Sequence, residues 1–338
     1  MKAIRINKFV KDYDEIRVSE VTKPQPKEGE VVVRVIAAGV NFVDLLYARG
    51  KHQNNTHLVR PPFILGLEFS GIVVSSPPTS KYRPKDRVFG SGLGGYAEYI
   101  AVKESSLRHT PKGWSLASSA GLAATAPVSY GALILRGGLK KGETVLIHAA
   151  AGGLGLMAVQ IAKAVGAHVI ATGGSKEKLD VAKRFGADEC VKYTTNEDWW
   201  KVILEKTEGR GVDVVFDPVG LVNKTLKCLK PMGRILLIGF AGREGDMERI
   251  AMNRVLLRQA QVIGYRFGMT DRLDPTETEK IWKGLGDMLE KELLKPTVYD
   301  REYRGLESVT TAMKDLSGRK VWGKAVILLD VEYHKPRL

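Results

Sequence analysis

One glycine-rich turn limits the folds open to this 338-residue chain. It lies in HAAAGGLGLMAVQIAKAVGAHVIATGGSKEK, residues 148–178. The apolar run Thr144 to Ile147 precedes it and reads as a strand. Gly152, Gly153 and Gly155 follow that strand and open a helical stretch, and HVIATGG reads as a second strand. Glycine lacks a Cβ, so its backbone reaches positive φ and approaches a ligand closely. Backbone N–H groups at a helix N-terminus bind a pyrophosphate. Ala151, Gly152, Gly153, Leu154 and Gly155 are therefore candidate cofactor-binding residues. The turn resembles G-x-G-x-x-G without matching it, and its weight comes from its place between strand and helix.

The same rhythm continues on both sides of the turn. From about Pro127 to Gly239, apolar strands such as ETVLIHAA, ECVKY, VDVVFDPVG and RILLIGF alternate with helical stretches. Such alternation builds a parallel sheet covered by helices. The flanks differ. GEVVVRVIAAGVN, EFSGIVVSS and GGYAEYIAV are β-branched runs bounded by turn residues, and VWGKAVILLDV near the end reads as one more apolar strand. The expected class is α/β: a doubly wound nucleotide domain at 127–260, set between two parts of a β-rich domain, 1–126 and 261–338. Neither an internal repeat nor a low-complexity tract is visible.

Cofactor choice is written at the end of the second strand. In an NAD site an Asp or Glu about 20 residues beyond the glycines accepts hydrogen bonds from the ribose 2′-OH. Here Gly173 holds that place, followed by Gly174, Ser175, Lys176 and Lys178. Space, a hydroxyl and positive charge suit a 2′-phosphate. The segment predicts NADPH over NADH. Lys176 and Lys178 also read as solvated residues at a helix start.

Charge and cysteine content narrow the partners. Lys and Arg number 52 against 38 Asp and Glu, a formal charge of +14. A strongly basic chain raises the question of nucleic acid. The basic residues are dispersed, apart from Arg249, Arg254 and Arg258 and the tail YHKPRL, so scattered surface charge is favoured over a nucleic-acid site. The two cysteines, Cys190 and Cys228, cannot make a disulfide framework. No run is long and apolar enough for a membrane span. The start MKAIRINKFV lacks the features of a secretory signal. A cytoplasmic location is expected, or a mitochondrial one if a presequence has been removed.

The runs GVNFVDLLYARG, PFILGLEFSGIV, GGYAEYIAV, AAAGGLGLMAVQIAKAVGA, AKRFGADE and VDVVFDPVG resemble the medium-chain dehydrogenase/reductase superfamily. Within it the chain is similar to the zinc-free quinone oxidoreductases, of the zeta-crystallin type, over nearly its whole length. The resemblance implies a GroES-like β-rich catalytic domain, a Rossmann domain and a homodimer formed through the nucleotide domains. It also implies roles for single residues. Lys178 corresponds to a lysine used on the 2′-phosphate. Tyr193 corresponds to a tyrosine that helps bind the cofactor. Arg319 corresponds to an arginine near the adenosine phosphate, and Asn41 to a polar residue lining the nicotinamide site. Zinc-dependent relatives carry a Cys and the His of GHE as ligands. This chain has Asn41 and Leu67 there, and too few cysteines for a structural zinc lobe. No zinc is expected. One departure is Val128, in PVSYGAL, where the family often has threonine; Thr125 and Ser129 are nearby hydroxyls.

Without a metal, the chemistry most open to such a site is reduction of a conjugated acceptor. Hydride added to a quinone or enone leaves a delocalised oxyanion, which one or two hydrogen-bond donors stabilise. The expected function is an NADPH-dependent reductase of quinones or related α,β-unsaturated carbonyls. The alternative is a nucleotide-gated RNA-binding or interaction protein on the same fold. Asn41 is a donor to the acceptor oxygen, a residue that holds the nicotinamide ribose, or an N-cap, with Asp44 three residues on imitating a capping box. Tyr47 and Tyr130 are further catalytic candidates, and each also reads as buried structure. Phe240, after LIG, is expected to mark backbone groups near the nicotinamide. His148 reads as a satisfied core histidine.

Overall fold

The near-continuous apolar run EVVVRVIAAG makes Glu30–Gly39 a ten-residue strand with most of its side chains buried. It is the centre of the β-rich part of the chain. Glu68–Ser75 pairs antiparallel along one edge of it, Tyr99–Lys103 along the first half of the other, and Val326–Leu328 along the second half. Arg87–Ser91, Leu107–His109 and Tyr303–Arg304 complete a seven-stranded sheet among the described residues. Val31, Val33 and Val35 from the central strand meet Phe69, Val88, Ile100 and Leu107 in one apolar core. The computed structural model describes residues 1–52, 59–194, 197–242, 247–330 and 333.

The α/β part holds a six-stranded sheet among the described residues, and every pair in it is parallel. Its order is Glu189–Lys192, His168–Gly173, Thr144–Ile147, Val212–Asp217, Leu229–Leu237 and Gln261–Gly264. Val145, Leu146 and Ile147 are wholly buried. A strand covered on both faces reads as an unbroken apolar run, which is why this one stands out in the sequence. Chain order reverses at Thr144–Ile147, which has His168–Gly173 on one side and Val212–Asp217 on the other. In open parallel sheets ligands bind at the carboxyl ends of strands flanking such a switch point.

The chain divides into two compact units, Met1–Ala124 with Pro296–Leu338, and Thr125–Lys295. The first boundary lies two residues from the expected 126. The second lies well beyond the expected 260. Gln261–Gly264 extends the parallel sheet beside Leu229–Leu237. The helix Pro275–Glu290 packs on the helix Ala126–Tyr130 of the same unit. Its buried stripe includes Ile281 and Leu285. An apolar stripe says that a helix packs, without saying on what.

Candidate active site

In the α/β unit the glycine turn is built by close backbone contact. Ala149 takes a left-handed φ of 47°. The Ala150 N–H donates to the Thr172 carbonyl at 3.0 Å, and the Gly152 N–H returns to the Ala149 carbonyl at 2.9 Å. Gly152 is extended and precedes the helix Gly153–Val165. A Cβ on Gly155 would lie 2.4 Å from the Ala149 carbonyl oxygen. A glycine there lets the helix seat against the turn. The first N–H groups of a helix have no partner within it, and those of Gly153, Leu154 and Gly155 open the helix Gly153–Val165. Ser129, beside Val128, is buried, and its hydroxyl donates to the Leu154 carbonyl at 2.9 Å. That hydroxyl braces the turn.

The second strand ends at Gly173, and Ser175 caps the helix Lys176–Arg184. A Cβ on Gly174 would stand 3.2 Å from the Tyr193 hydroxyl. Thr194 donates to the Gly174 carbonyl at 2.9 Å. Gly174, Ser175, Tyr193 and the half-buried Lys178 are thus gathered at one edge. Two features were not read from the sequence. Lys176 is paired with Asp180 at 2.7 Å. The Glu177 carboxyl is held below the usual carboxylate range by its own N–H and then by the Ser175 hydroxyl. A carboxylate therefore does stand in this neighbourhood, in the first turn of the helix rather than at the strand end.

Loops at the other strand ends are also anchored. The buried Asp217 carboxylate accepts the N–H groups of Val219 and Gly220 at 2.8 Å and of Leu221 at 2.6 Å. Phe240 is exposed in the next loop, where the Ala241 N–H donates to the Pro218 carbonyl at 3.1 Å. His148 is buried with its ring nitrogens 2.9 Å from the hydroxyls of Thr172 and Thr225. Burial pushes its pKa down. It is a satisfied core histidine. The Tyr130 hydroxyl lies against Gly284, where a Cβ would be 2.0 Å from the oxygen.

The β-rich unit contains a buried polar cluster around Asn41. Lys324 lies just before the strand Val326–Leu328, and Glu68 opens the strand Glu68–Ser75. Their side chains are 3% and 0% exposed and form an ion pair at 2.8 Å. The Lys324 ammonium also donates to Asn41 Oδ1 at 2.6 Å. Asn41 Nδ2 has Glu68 Oε2 at 3.3 Å and the Gly39 carbonyl at 3.4 Å. The other Glu68 oxygen accepts the Ala124 N–H at 2.8 Å. A Cβ on Gly39 would come within 2.6 Å of Glu68 Oε2, so the bare backbone makes room for the carboxylate.

Beneath this lies Asp44, whose Oδ2 accepts the Asn41 N–H and the Tyr96 hydroxyl, each at 2.8 Å. Burial pushes the Asp44 carboxyl up to about 6, against the pull of the Asn41 N–H, the Tyr96 hydroxyl and the Lys324 charge. Asn41 precedes the helix Phe42–Ala48 and forms a capping box with Asp44, whose carboxylate takes the Asn41 N–H. Tyr47 on that helix is buried and stacked on His52 with ring centroids 4.9 Å apart. Arg319 is exposed in the same unit, after the helix Val309–Ser317, at a φ of 58°. Sequence reasoning passed over Glu68 and Lys324. The available signal was a single charge inside each of two apolar runs, FILGLEFSGIVV and VWGKAVILL, because a buried charge needs a partner.

Among the described residues no group of three or more His, Cys, Asp and Glu side chains could hold a metal ion. Among the described residues, too, no helix is long and apolar enough to cross a membrane.

A parallel-sheet unit with this turn and a β-rich unit with a buried polar cluster fit the two-domain medium-chain dehydrogenase/reductase class. Residues 27–112 match the alcohol dehydrogenase GroES-like domain, and residues 153–283 match the family described as zinc-binding dehydrogenase. The quinone oxidoreductase-like protein 2 homolog of Nematostella vectensis is 33% identical, over 94% of this chain and 89% of its own length. A probable oxidoreductase from Mycobacterium abscessus superposes with a TM-score of 0.85 at 34% identity, over 97% of this chain and 98% of that one. The Escherichia coli quinone oxidoreductase, solved with NADPH, superposes with a TM-score of 0.85 at 25% identity, over 97% of this chain and all of that one (100%). The chain belongs to the quinone oxidoreductase family of oxidoreductases.

Proposed function

We propose that the protein reduces quinones or related α,β-unsaturated carbonyls with NADPH and without zinc. The observation that carries this reading is the glycine turn at the sheet's switch point, packed so closely that a Cβ on Gly155 would come within 2.4 Å of the turn's backbone. The unpartnered N–H groups there suit a pyrophosphate. Gly174, Ser175, Lys178 and Tyr193 leave room, hydroxyls and one cation for a 2′-phosphate, with Glu177 as an opposing charge. Phe240 and its loop suit the nicotinamide end, and Arg319 the adenosine phosphate by family likeness. When bound, NADPH supplies the hydride equivalent.

The chain's own groups then orient the acceptor and stabilise charge that develops on its oxygen. Asn41 is the donor assigned to that oxygen. Its Nδ2 contacts of 3.3 and 3.4 Å are longer than ordinary N–H···O bonds. A substrate oxygen competes well against such bonds. Tyr47 and Tyr130 are secondary candidates, because the first is stacked on His52 and the second turned against Gly284. A cation is still present without zinc, since the Lys324 ammonium stands beside Asn41.

A homodimer through the α/β unit belongs to the same proposal. Among the described residues Gln261–Gly264 ends the sheet order, with no strand on its outer edge. Near it in sequence, Met252, Leu256, Leu257 and Val262 are exposed at 71%, 74%, 79% and 39%. Open edges beside exposed apolar side chains invite pairing.

The test is NADPH oxidation with quinones, enones and simple aldehydes, before and after chelator treatment. Quinones or enones should turn over, aldehydes should not, and chelation should change nothing. Turnover confined to aldehydes, or activity lost to chelator and restored by zinc, refutes the proposal.

A further inference from the structure

An asparagine amide has two orientations of nearly equal shape, and its surroundings decide between them. Around Asn41 the surroundings are charged and buried. Oδ1 faces the Lys324 ammonium at 2.6 Å, while Nδ2 faces the Glu68 carboxylate and the Gly39 carbonyl. Turning the amide over would set N–H against ammonium on one side, and oxygen against carboxylate and carbonyl on the other. At 3% and 0% exposure for Lys324 and Glu68, water screens neither clash.

We propose that Lys324 is a positioning residue for the reduction: it fixes the Asn41 amide so that N–H₂, never oxygen, is offered to the acceptor. This rests on the reductase reading above. Three further details support it. The ammonium holds Asn41 by a short bond on its acceptor side and leaves only long bonds on its donor side. Asp44 fixes the backbone of the same residue through its N–H. A Cβ on Gly121 would lie 3.1 Å from Lys324 Cβ and Cγ, so the lysine stem is gripped as well. A lysine kept only to neutralise Glu68 would have no need of Asn41.

The test is a mutant cycle with an exchange measurement beside it. Lys324→Met and Asn41→Ala should each lower kcat about tenfold or more with KM little changed, since a donor bond that strengthens in the transition state is lost. If Lys324 acts through Asn41, the double variant should be no slower than Asn41→Ala alone. Losses that multiply, or full turnover in Lys324→Met, overturn the proposal. Because Lys324→Met leaves Glu68 as a lone buried charge, the pair Lys324→Met with Glu68→Gln is made too. It removes both charges, and it should fold yet remain slow; full turnover in this pair overturns the proposal. In protein labelled with ¹⁵N-asparagine, the Asn41 side-chain signal is assigned by its loss in Asn41→Ala. Its hydrogen exchange should quicken at least about tenfold in the Lys324→Met/Glu68→Gln pair, as a released amide opens to solvent. Unchanged exchange overturns the positioning role. If the unaltered protein reduces no acceptor, the reductase reading fails, and amide exchange decides the positioning role by itself.

Discussion

Asp44 makes stability depend on pH in a direction opposite to that of most carboxylates. It is fully buried, one oxygen takes two hydrogen bonds, and the other, Oδ1, has no partner among the described residues. Its folded pKa rises from 3.8 to about 6. A tenfold change in an acid dissociation constant is worth about 1.4 kcal/mol, so keeping this group ionised in the fold costs about 3 kcal/mol. Between about pH 4 and pH 6 the folded chain binds a proton that the unfolded chain has released. The contribution is therefore fully present below about pH 4 and is lost as pH rises through about 6. Asp188, Glu189, Asp213 and Asp315 are all held low and pull the other way. The raw profile mixes the two, so the difference from Asp44→Asn is the quantity to measure. Asparagine keeps an oxygen for the Asn41 N–H and the Tyr96 hydroxyl but carries no charge. In urea unfolding followed by tryptophan fluorescence, the variant should gain about 3 kcal/mol on the unaltered protein between pH 4 and pH 8. A difference that stays flat, or that moves the other way, refutes the reasoning.

Three further outcomes follow from the α/β unit. NADPH should bind at least about tenfold tighter than NADH, about 1.4 kcal/mol; Lys178→Ala should erase most of that margin and Glu177→Gln widen it, both read by cofactor titration. Gly155→Ala forces a Cβ to within 2.4 Å of the Ala149 carbonyl oxygen; calorimetry should show NADPH binding lost, and a thermal melt should show a cost of about 1–3 kcal/mol, as for other overpacked sites. Leu257→Glu charges a side chain that is 79% exposed; in gel filtration a dimer should become a monomer with its melt unchanged, whereas a dimer that persists removes this surface from the interface.

How much of this was legible in the sequence depended on how far apart the interacting residues lie. The strand, turn and helix from Thr144 to Val165 were legible because every signal is local: an apolar run, then glycines, then helical spacing. The unit boundary was not. The helix Pro275–Glu290 joins the α/β unit partly because Gly284 receives the Tyr130 hydroxyl, a fit between distant residues that no window contains. Glu177 was missed for a geometric reason. It lies in the first helical turn past the strand end, and its carboxylate folds back to the Ser175 cap. Asn41 is the most instructive position. Its neighbours in sequence, with Asp44 imitating a capping box, favour a cap, and the family resemblance tips it slightly toward the pocket role. Asn41 and Asp44 do form a capping box at the start of the helix Phe42–Ala48, and the box is not the whole of it. Asp44 does reach back to the Asn41 N–H, but the Asn41 oxygen is spent on Lys324, from the far end of the chain. Here a buried ammonium does the orienting, so the residue's neighbours account for its backbone and a distant lysine accounts for its side chain.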